Sequence, residues 1–529
     1  MTPEESIPKK NILHTISTAF KEMKETFVLL GRSPRALWGV NIPYIIEGLV
    51  YFGILTILGK YCAENVGLSD PQSGYVYSAV TGGITFAMLL LGGVSDKIGV
   101  RVSLALSLGV MMVGRILVAL SGTLHLGRGV GSMAFFIMSF GLLLMVSGYG
   151  FYMPAAYAGV KRYTNPRTAA VGYGLIYGLM NIGAFFSGFI SPLTRQRFEK
   201  ILPPNGLSAV FWLYSGFTLI ATLLTLVIIT RRADRDAVTQ VKKETASMDS
   251  GHENKKETAT ENAPRGPKVN NLPLIILIAL TMAAIGVMWL IKAGRVALPL
   301  PLVYVVAAVF FIAAIIEFLR RRPDHPFRDK KFVFFIFILI PVQTLFAHNW
   351  LTIPYYLDRA FAGTSVSKYF EFFSNLNPIL IFFLSPLIAA LTAKANIYRM
   401  MIIGTFVMAL PTFLLAVGPN VELFLLYILL MSIGEAMWQP RFLQWIAEIA
   451  PPGKTGMYMG IGQFPWFLTK VITGFYSGYF VARHIPRPGT GLPLNTGRMW
   501  LIYSFIAIVS PLTLVMARKW MGGSMTRKG

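Results

Sequence analysis

The feature that most constrains this chain is a succession of long apolar stretches separated by short segments rich in Lys and Arg. A helix needs roughly 20 apolar residues to cross the hydrocarbon core of a bilayer. On that template the spans fall at about 37–60, 74–95, 101–121, 131–153, 168–191 and 207–230, then 272–292 and 298–319. Six more follow at about 331–353, 370–392, 397–417, 420–440, 456–482 and 498–517. Fourteen such spans predict an all-α integral membrane protein, because a helix satisfies its own backbone polar groups in lipid. Composition agrees. Hydrophobic residues make up 54% of the chain and charged residues only 14%, against roughly 25% charged in soluble domains.

The net charge of +24 points to nucleic acid only if the basic residues form a soluble patch. Here they sit between apolar runs, where they set orientation in the membrane, so no nucleic-acid partner is expected. With both termini cytoplasmic, 34 of the 48 Lys and Arg fall inside and 12 outside, with Arg115 and Lys470 within spans. One outer loop dissents, through Arg195, Arg197 and Lys200. Cys62 is the single cysteine, which excludes an intramolecular disulfide and a cysteine-built zinc site. No signal peptide precedes the first span, and no metal or organic cofactor is expected.

The chain divides by composition. Residues 1–36 form a cytoplasmic N-terminal segment in which Ile16, Phe20, Met23 and Phe27 recur at helical spacing. That pattern reads either as an amphipathic helix on the inner leaflet or as a helix packed on the first cytoplasmic loop. Residues 37–230 hold six spans. Residues 231–271 are charged and nearly free of aromatics, and read as a disordered cytoplasmic linker. An inserted helix pair at 272–320 follows, then six spans at 331–517 and a cytoplasmic tail at 518–529. Asn165-Pro-Arg-Thr168 and Pro452-Gly-Lys-Thr455 precede equivalent spans of the two six-helix groups, which supports an internal repeat with sites at its interface.

Between the second and third spans lies Gly92-Gly-Val-Ser-Asp96-Lys97-Ile-Gly99-Val-Arg101. It resembles the loop signature of the major facilitator superfamily. Its glycines permit a tight turn and close helix approach, and Asp96 can pair with Arg101 or a helix end to latch one conformer. Gly92, Asp96, Lys97, Gly99 and Arg101 are therefore the expected conformational latch. The resemblance implies two six-helix halves, here with the extra pair, that expose a central site to each side of the membrane in turn.

A narrower resemblance runs from about Ile42 to Phe480. Glu47-Gly-Leu-Val-Tyr51-Phe52-Gly53 is similar to the end of the Glu-x-x-Glu-Arg-Phe-x-Tyr-Tyr-Gly signature of proton-coupled oligopeptide transporters. Tyr177, Asn181 and Gly183 match that family's Tyr-x-x-x-Asn-x-Gly stretch. Asn377-Pro378 matches its Leu-Asn-Pro motif, Gly434-Glu435 its tenth helix, and Met459-Gly460 before Trp466 its eleventh. The departures are as specific. Tyr44 stands for the family's first glutamate, Gly48 for its arginine and Met153 for the fourth-helix lysine, and the arginine expected near Leu55 is absent. The resemblance implies that the lost cations held a peptide carboxylate, that glutamates and lysine serve proton coupling, and that Asn377 and Glu435 form the amine clamp.

The residues themselves carry a compatible reading. Glu47, Arg115, Glu435 and Lys470 fall near mid-membrane, where each costs about 2.5–3.5 kcal/mol unless it faces a cavity or a partner. They are either buried ion bridges between helices or a solute and proton site, with Glu47 and Glu435 the candidate proton-responsive groups. Glu435 and Asn377 suit an amine. Tyr51, Tyr149, Met153 and Tyr177 suggest an apolar, aromatic wall, with Asn181 and Trp466 completing the candidate solute site. Lys470 either neutralises Glu435 or takes a solute anion. His348, with Gln343 and Asn349, reads as an interfacial hydrogen-bonding group, with gating by titration as the alternative.

The function expected is secondary active transport, proton-coupled, of a small peptide or amine-bearing solute across a plasma membrane of the bacterial inner-membrane type. The alternatives are a proton antiporter exporting a cationic or aromatic compound and a non-transporting receptor or scaffold of the same fold. No nucleophile elbow, zinc motif or phosphate loop is present, so an enzyme is not expected. The expected partners are the solute and the bilayer, with the proton gradient in place of a cofactor and no obligate protein partner.

Overall fold

Local capping marks where several long helices begin. Ser132, Asn396, Asn420 and Asn495 each accept a hydrogen bond from the backbone N–H three residues on, satisfying a donor that the first helical turn leaves open. The computed structural model describes residues 33–91, 98–124, 126–165, 169–249, 272–292, 299–323, 325–392, 395–451 and 455–522. The described residues are helices and connections.

The first six-helix group is α1 (Arg35–Glu64), α2 (Asp70–Leu91), α3 (Val100–Thr123), α4 (Met133–Tyr163), α5 (Ala169–Phe198) and α6 (Leu207–Ile228). Next come α7 (Arg231–Asp249) and the inserted pair α8 (Leu272–Lys292) and α9 (Leu300–Arg320). In the second group, prolines and short breaks divide several spans. The first is α10 (Lys330–Phe337), α11 (Ile340–Leu351) and α12 (Ile353–Ala360). The one-turn α13 (Ser365–Lys368) leads to α14 (Phe370–Ser374) and α15 (Leu376–Leu391). Then follow α16 (Ile397–Ala409), running into a 3-10 turn, α17 (Val421–Ile449), α18 (Thr455–Gly462), α19 (Phe464–His484), α20 (Thr496–Met516) and the short α21 (Arg518–Gly522).

Eleven helical stretches among the described residues are long and apolar enough to cross a membrane. The three other expected spans coincide with α2, α8 and α18–α19. In α19 the physical reason is visible in its packing on α2. These helices face each other with small and polar residues: a Cβ on Gly74 would lie 2.5 Å from the Gly474 carbonyl oxygen, and Ser78 donates to the Val471 carbonyl at 3.0 Å. The hydropathy of α19 is lowered because it forms the seam between the two groups. In α8 the described apolar stretch is shorter, Leu272–Ala284.

The two groups meet along α2 with α19, α5 with α14 and α15, and α1 with α11 and α12. α8 and α9 pack chiefly on each other. One expectation is corrected: Arg231–Asp249, read as part of a disordered linker, is a helix. Its polar composition cannot build a core, but it is tied to the bundle by Asp234, which receives both Arg162 Nε and Nη2 at 2.8 and 2.9 Å, and by Glu244, bonded from Asn165 at 2.7 Å. The Arg162 guanidinium holds the Asp234 carboxyl below its ordinary range. Residues 250–271 and the N-terminal segment lie outside the described residues.

Candidate functional site

Four helices of the first group bring one charged cluster together. Arg115 of α3 forms two contacts with Glu47 of α1, one of them Nη1 to Oε2 at 3.0 Å. Its Nη2 also donates to the Tyr149 hydroxyl of α4 at 2.8 Å, and Nη1 to Thr218 of α6. Tyr149 in turn donates to Glu47. The side chains of Arg115 and Glu47 are 0% and 3% exposed. Charge is matched within the first group, as a buried pair requires, and only Arg115 Nε is left without a hydrogen-bond partner in the cluster.

The departures from the family pattern meet in space. The Tyr44 hydroxyl donates to Met153 Sδ at 3.2 Å, and Tyr152 stacks on Tyr44 at 5.8 Å. The two positions at which the resemblance called for charges thus satisfy each other as neutral groups. Gly48 has a steric reason as well. A Cβ there would lie 2.8 Å from the Met180 carbonyl oxygen of α5, so the close α1–α5 crossing excludes an arginine.

Glu435 of α17 is different. It is 1% exposed, and Asn377 of α15 donates to its Oε2 at 2.8 Å and to Ser432 at 2.9 Å. Oε1 has no hydrogen-bond partner, and among the described residues no cation forms an ion pair with Glu435. Tyr177 of α5, 45% exposed, lies within electrostatic range of it across the interface. Asn181 anchors to its own helix by donating to the Tyr177 carbonyl at 2.9 Å.

Lys470 is the complementary case. It is partly exposed and makes no ion pair or hydrogen bond among the described residues, so it does not neutralise Glu435. On α19, Phe467, Val471 and Gly474 face α2, whereas Trp466 and Thr469 face α11. Successive residues turn about 100° around a helix, which places Lys470 between these two faces, beside Trp466 and toward the molecule's interior. Trp466 stacks on Trp438 of α17 at 6.4 Å and 17°. From that shared level Glu435 lies about 4.5 Å and Lys470 about 6 Å further along their helices, in the same direction. The two opposite charges sit at similar depth, unpaired.

A chain of ring contacts joins the two clusters. Tyr149 meets Tyr51 at 5.1 Å, Tyr51 meets Phe52, Phe52 meets Trp350, Trp350 meets Phe346, and Phe346 meets Trp466 at 5.0 Å. Phe52, Phe346, Trp350 and Trp438 were not among the expected site residues; Phe52 stood only within the Glu47–Gly53 stretch, and the sole signal for the other three was aromatic density on the spans at 331–353 and 420–440. His348 follows the structural reading, with Nδ1 on Thr352, Nε2 on Tyr476 and its ring stacked on Tyr503 at 3.9 Å.

At one end of the molecule the groups are latched. Arg359 makes two contacts to Asp70, at 2.8 and 3.0 Å, joined by Arg487 at 3.0 Å. Lys60 pairs with Asp358 at 2.5 Å and Arg195 with the buried Glu371 at 2.5 Å. The dissenting basic loop is thus explained: Arg195 is a cross-interface partner. Among the described residues no ion pair or hydrogen bond joins the groups at the opposite end. Gly92, Asp96 and Lys97 are outside the described residues, Gly99 adopts φ +82° ahead of α3, and Arg101 is partly buried.

This architecture has a recognisable counterpart. A family model described as Major Facilitator Superfamily matches residues 41–366. The chain belongs to the major facilitator superfamily. Among relatives, it is 23% identical over 523 residues to the dipeptide and tripeptide permease B of Xenorhabdus bovienii (strain SS-2004), covering 93% of this chain and 96% of that one. It is likewise 23% identical over 533 residues to the dipeptide and tripeptide permease A of Escherichia coli (strain K12), covering 95% and 96%. The crystal structure of peptide transporter POT in complex with sulfate superposes with a TM-score of 0.65 at 18% identity, over 93% of this chain and 96% of that chain. The POT family transporter PepTSo gives 0.62 at 16% identity, over 93% and 99%. These structures share the fold of this chain.

Proposed function

We propose that this major facilitator protein is a proton-coupled secondary transporter that moves small peptides or peptide-like amines by alternating access. The observation that carries the proposal is the pair of unmatched charges at one depth, Glu435 and Lys470, at the interface of the two groups. A buried carboxylate without a cation is costly. It is satisfied by a proton or by the amine of a bound solute, and exchange between those two states ties proton movement to solute movement. Lys470 then takes the solute's anionic end, in place of the first-group cations that the resemblance leads one to expect. Tyr177, Asn181 and Trp466 border the site. Tyr51 and Tyr149 support it from behind, and Met153 is an apolar boundary. Glu47, satisfied by Arg115, serves structure more than proton exchange. The relatives named as dipeptide and tripeptide permeases support the same solute class.

With the basic segments cytoplasmic and both termini inside, the latched end is the outer one, and the conformer faces inward. A bacterial inner membrane fits the relatives. The proton gradient is the only energy source the reading needs, and no protein partner is proposed. The ring chain also suits a cationic aromatic compound exported by antiport, but a free lysine beside the site disfavours a cation alone.

The test is uptake of a labelled dipeptide into proteoliposomes driven by a pH gradient, acidic on the side of solute addition. Glu435→Gln keeps the size of the side chain and an oxygen that accepts from Asn377, so folding should persist while uptake falls at least about 100-fold, the loss of a charge-assisted contact at its centre. Unchanged uptake in this variant would sink the proposal.

A further inference from the structure

The inserted pair leaves a gap that the transport reading does not use. Between α8 and α9 on one side and α10 and α19 on the other lies a groove of about 890 Å³. Ile278, Phe311, Phe318, Val333, Phe337 and Phe464 line it. Neither helix of the pair packs extensively against the rest of the bundle, so side chains do not close the space. At the depth of the hydrocarbon core, an apolar gap of this size is filled by hydrocarbon, since water has no polar partners there.

Its mouth carries unneutralised cations. The Arg322 guanidinium sits over the Phe318 ring at 4.2 Å, and its buried Nη1 has no hydrogen-bond partner. Arg328 donates through Nε to the Leu319 carbonyl at 3.1 Å, which leaves its terminal nitrogens unused. Lys331 lies in the first turn of α10 just beyond. Among the described residues the nearby carboxylates are already engaged: Glu317 by Arg320 and Arg321, and Asp329 by the backbone N–H groups of Lys331 and Phe332. His325 packs its ring against Phe318 at 4.9 Å and Phe327 at 5.2 Å. Burial, then Arg322, holds it below its ordinary pKa.

We infer that this groove binds an anionic glycerophospholipid, with an acyl chain between the inserted pair and the second group and the phosphate held by Arg322, Arg328 and Lys331. Shape selects a chain and the rim selects a negative headgroup, at the membrane face that carries the basic excess. The inserted pair then attaches to the transporter through lipid as much as through protein.

Native mass spectrometry of the delipidated full-length protein tests this, with dioleoyl phosphatidylglycerol or dioleoyl phosphatidylcholine added back. One phosphatidylglycerol should be retained about tenfold better than phosphatidylcholine, a difference of one charge-assisted contact. Arg322→Ala should bring the two lipids level. Thr281→Trp, which fills the groove from a helix packed mainly on its own partner, should release both while thermal stability holds. Free glycerol phosphate should not compete; full competition would mean a soluble-phosphate site and overturn the inference. Equal retention of the two lipids by the unaltered protein, or retention indifferent to Thr281→Trp, would overturn it as well. So would a dimer that Thr281→Trp disrupts, because a second copy would then occupy the groove.

Discussion

Glu47 and Glu435 are both carboxylates buried near mid-membrane, and their surroundings divide the labour of the protein. Glu47 has a bidentate arginine partner and a tyrosine donor, and a threonine accepts a further hydrogen bond from the arginine. Glu435 has one amide donor and an unpartnered oxygen. Burying an ion next to its counter-ion stores the charge permanently, because removing either partner strands the other. Burying one beside neutral groups leaves its charge without a counter-ion. The first arrangement fastens helices together, and the second is the proposed binding site.

The contrast can be broken most forcefully at Glu47. Glu47→Gln strands Arg115 and should cost about 3–5 kcal/mol of stability, seen as a lower midpoint of thermal aggregation in detergent. Replacing both, Glu47→Gln with Arg115→Leu, should recover most of that loss. If Glu47→Gln instead keeps full stability and abolishes transport, both carboxylates are functional and the contrast collapses. Glu435→Gln should show the reverse pattern, intact stability without uptake.

A smaller effect is expected at the latched end. Asp70→Asn weakens its contacts with Arg359 and Arg487, and should shift the conformer population by about tenfold toward opening there, equivalent to about 1.4 kcal/mol. Spin-label distances across that end would report it, and an unchanged distance distribution would remove the latch from the account. Weaker still is the Tyr44–Met153 contact: Tyr44→Phe should cost about 1 kcal/mol in stability and leave uptake near normal.

The smallest effect sharpens the picture of α7. Asp234 is held below its ordinary carboxyl range by Arg162, so the tie is fully present above about pH 4, the unfolded carboxylate value, and is lost as acid takes the pH through the lower folded value. Hydrogen exchange of Arg231–Asp249 should therefore stay slow at neutral pH and quicken only in strong acid. Asp234→Asn should quicken it at neutral pH and make little difference in strong acid, with an effect of about 1 kcal/mol or less because the pair is partly exposed.

Much of this was legible in the sequence, for identifiable reasons. Lipid demands long apolar helices, so hydropathy located the spans, and α19 fell short of a span's hydropathy because small and polar residues line its seam with α2. Glu435 and Asn377 stood out as polar groups at mid-depth within a recognisable motif. Pairings were hidden. Asp70 and Arg359 lie 289 residues apart, and nothing local marks them as partners. Arg115 was visible as an intramembrane cation, but its choice of Glu47 over Glu435 depends on how α1, α3, α4 and α6 pack. The linker was misread over Arg231–Asp249 because composition reports the lack of a core and not the two side-chain ties that hold a polar helix to a bundle. The ring chain from Tyr149 to Trp466 crosses the interface through residues on α1, α11 and α19, a path with no sequence period.

The most direct test of the central claim compares a free dipeptide with the same dipeptide amidated at its carboxyl end, in pH-gradient-driven uptake by the unaltered protein and by Lys470→Gln. If Glu435 and Lys470 hold opposite ends of one solute, the unaltered protein carries the free form at least about tenfold better, and Lys470→Gln removes that preference by lowering uptake of the free form alone. Equal uptake of both forms by the unaltered protein, or a preference that survives Lys470→Gln, would contradict it.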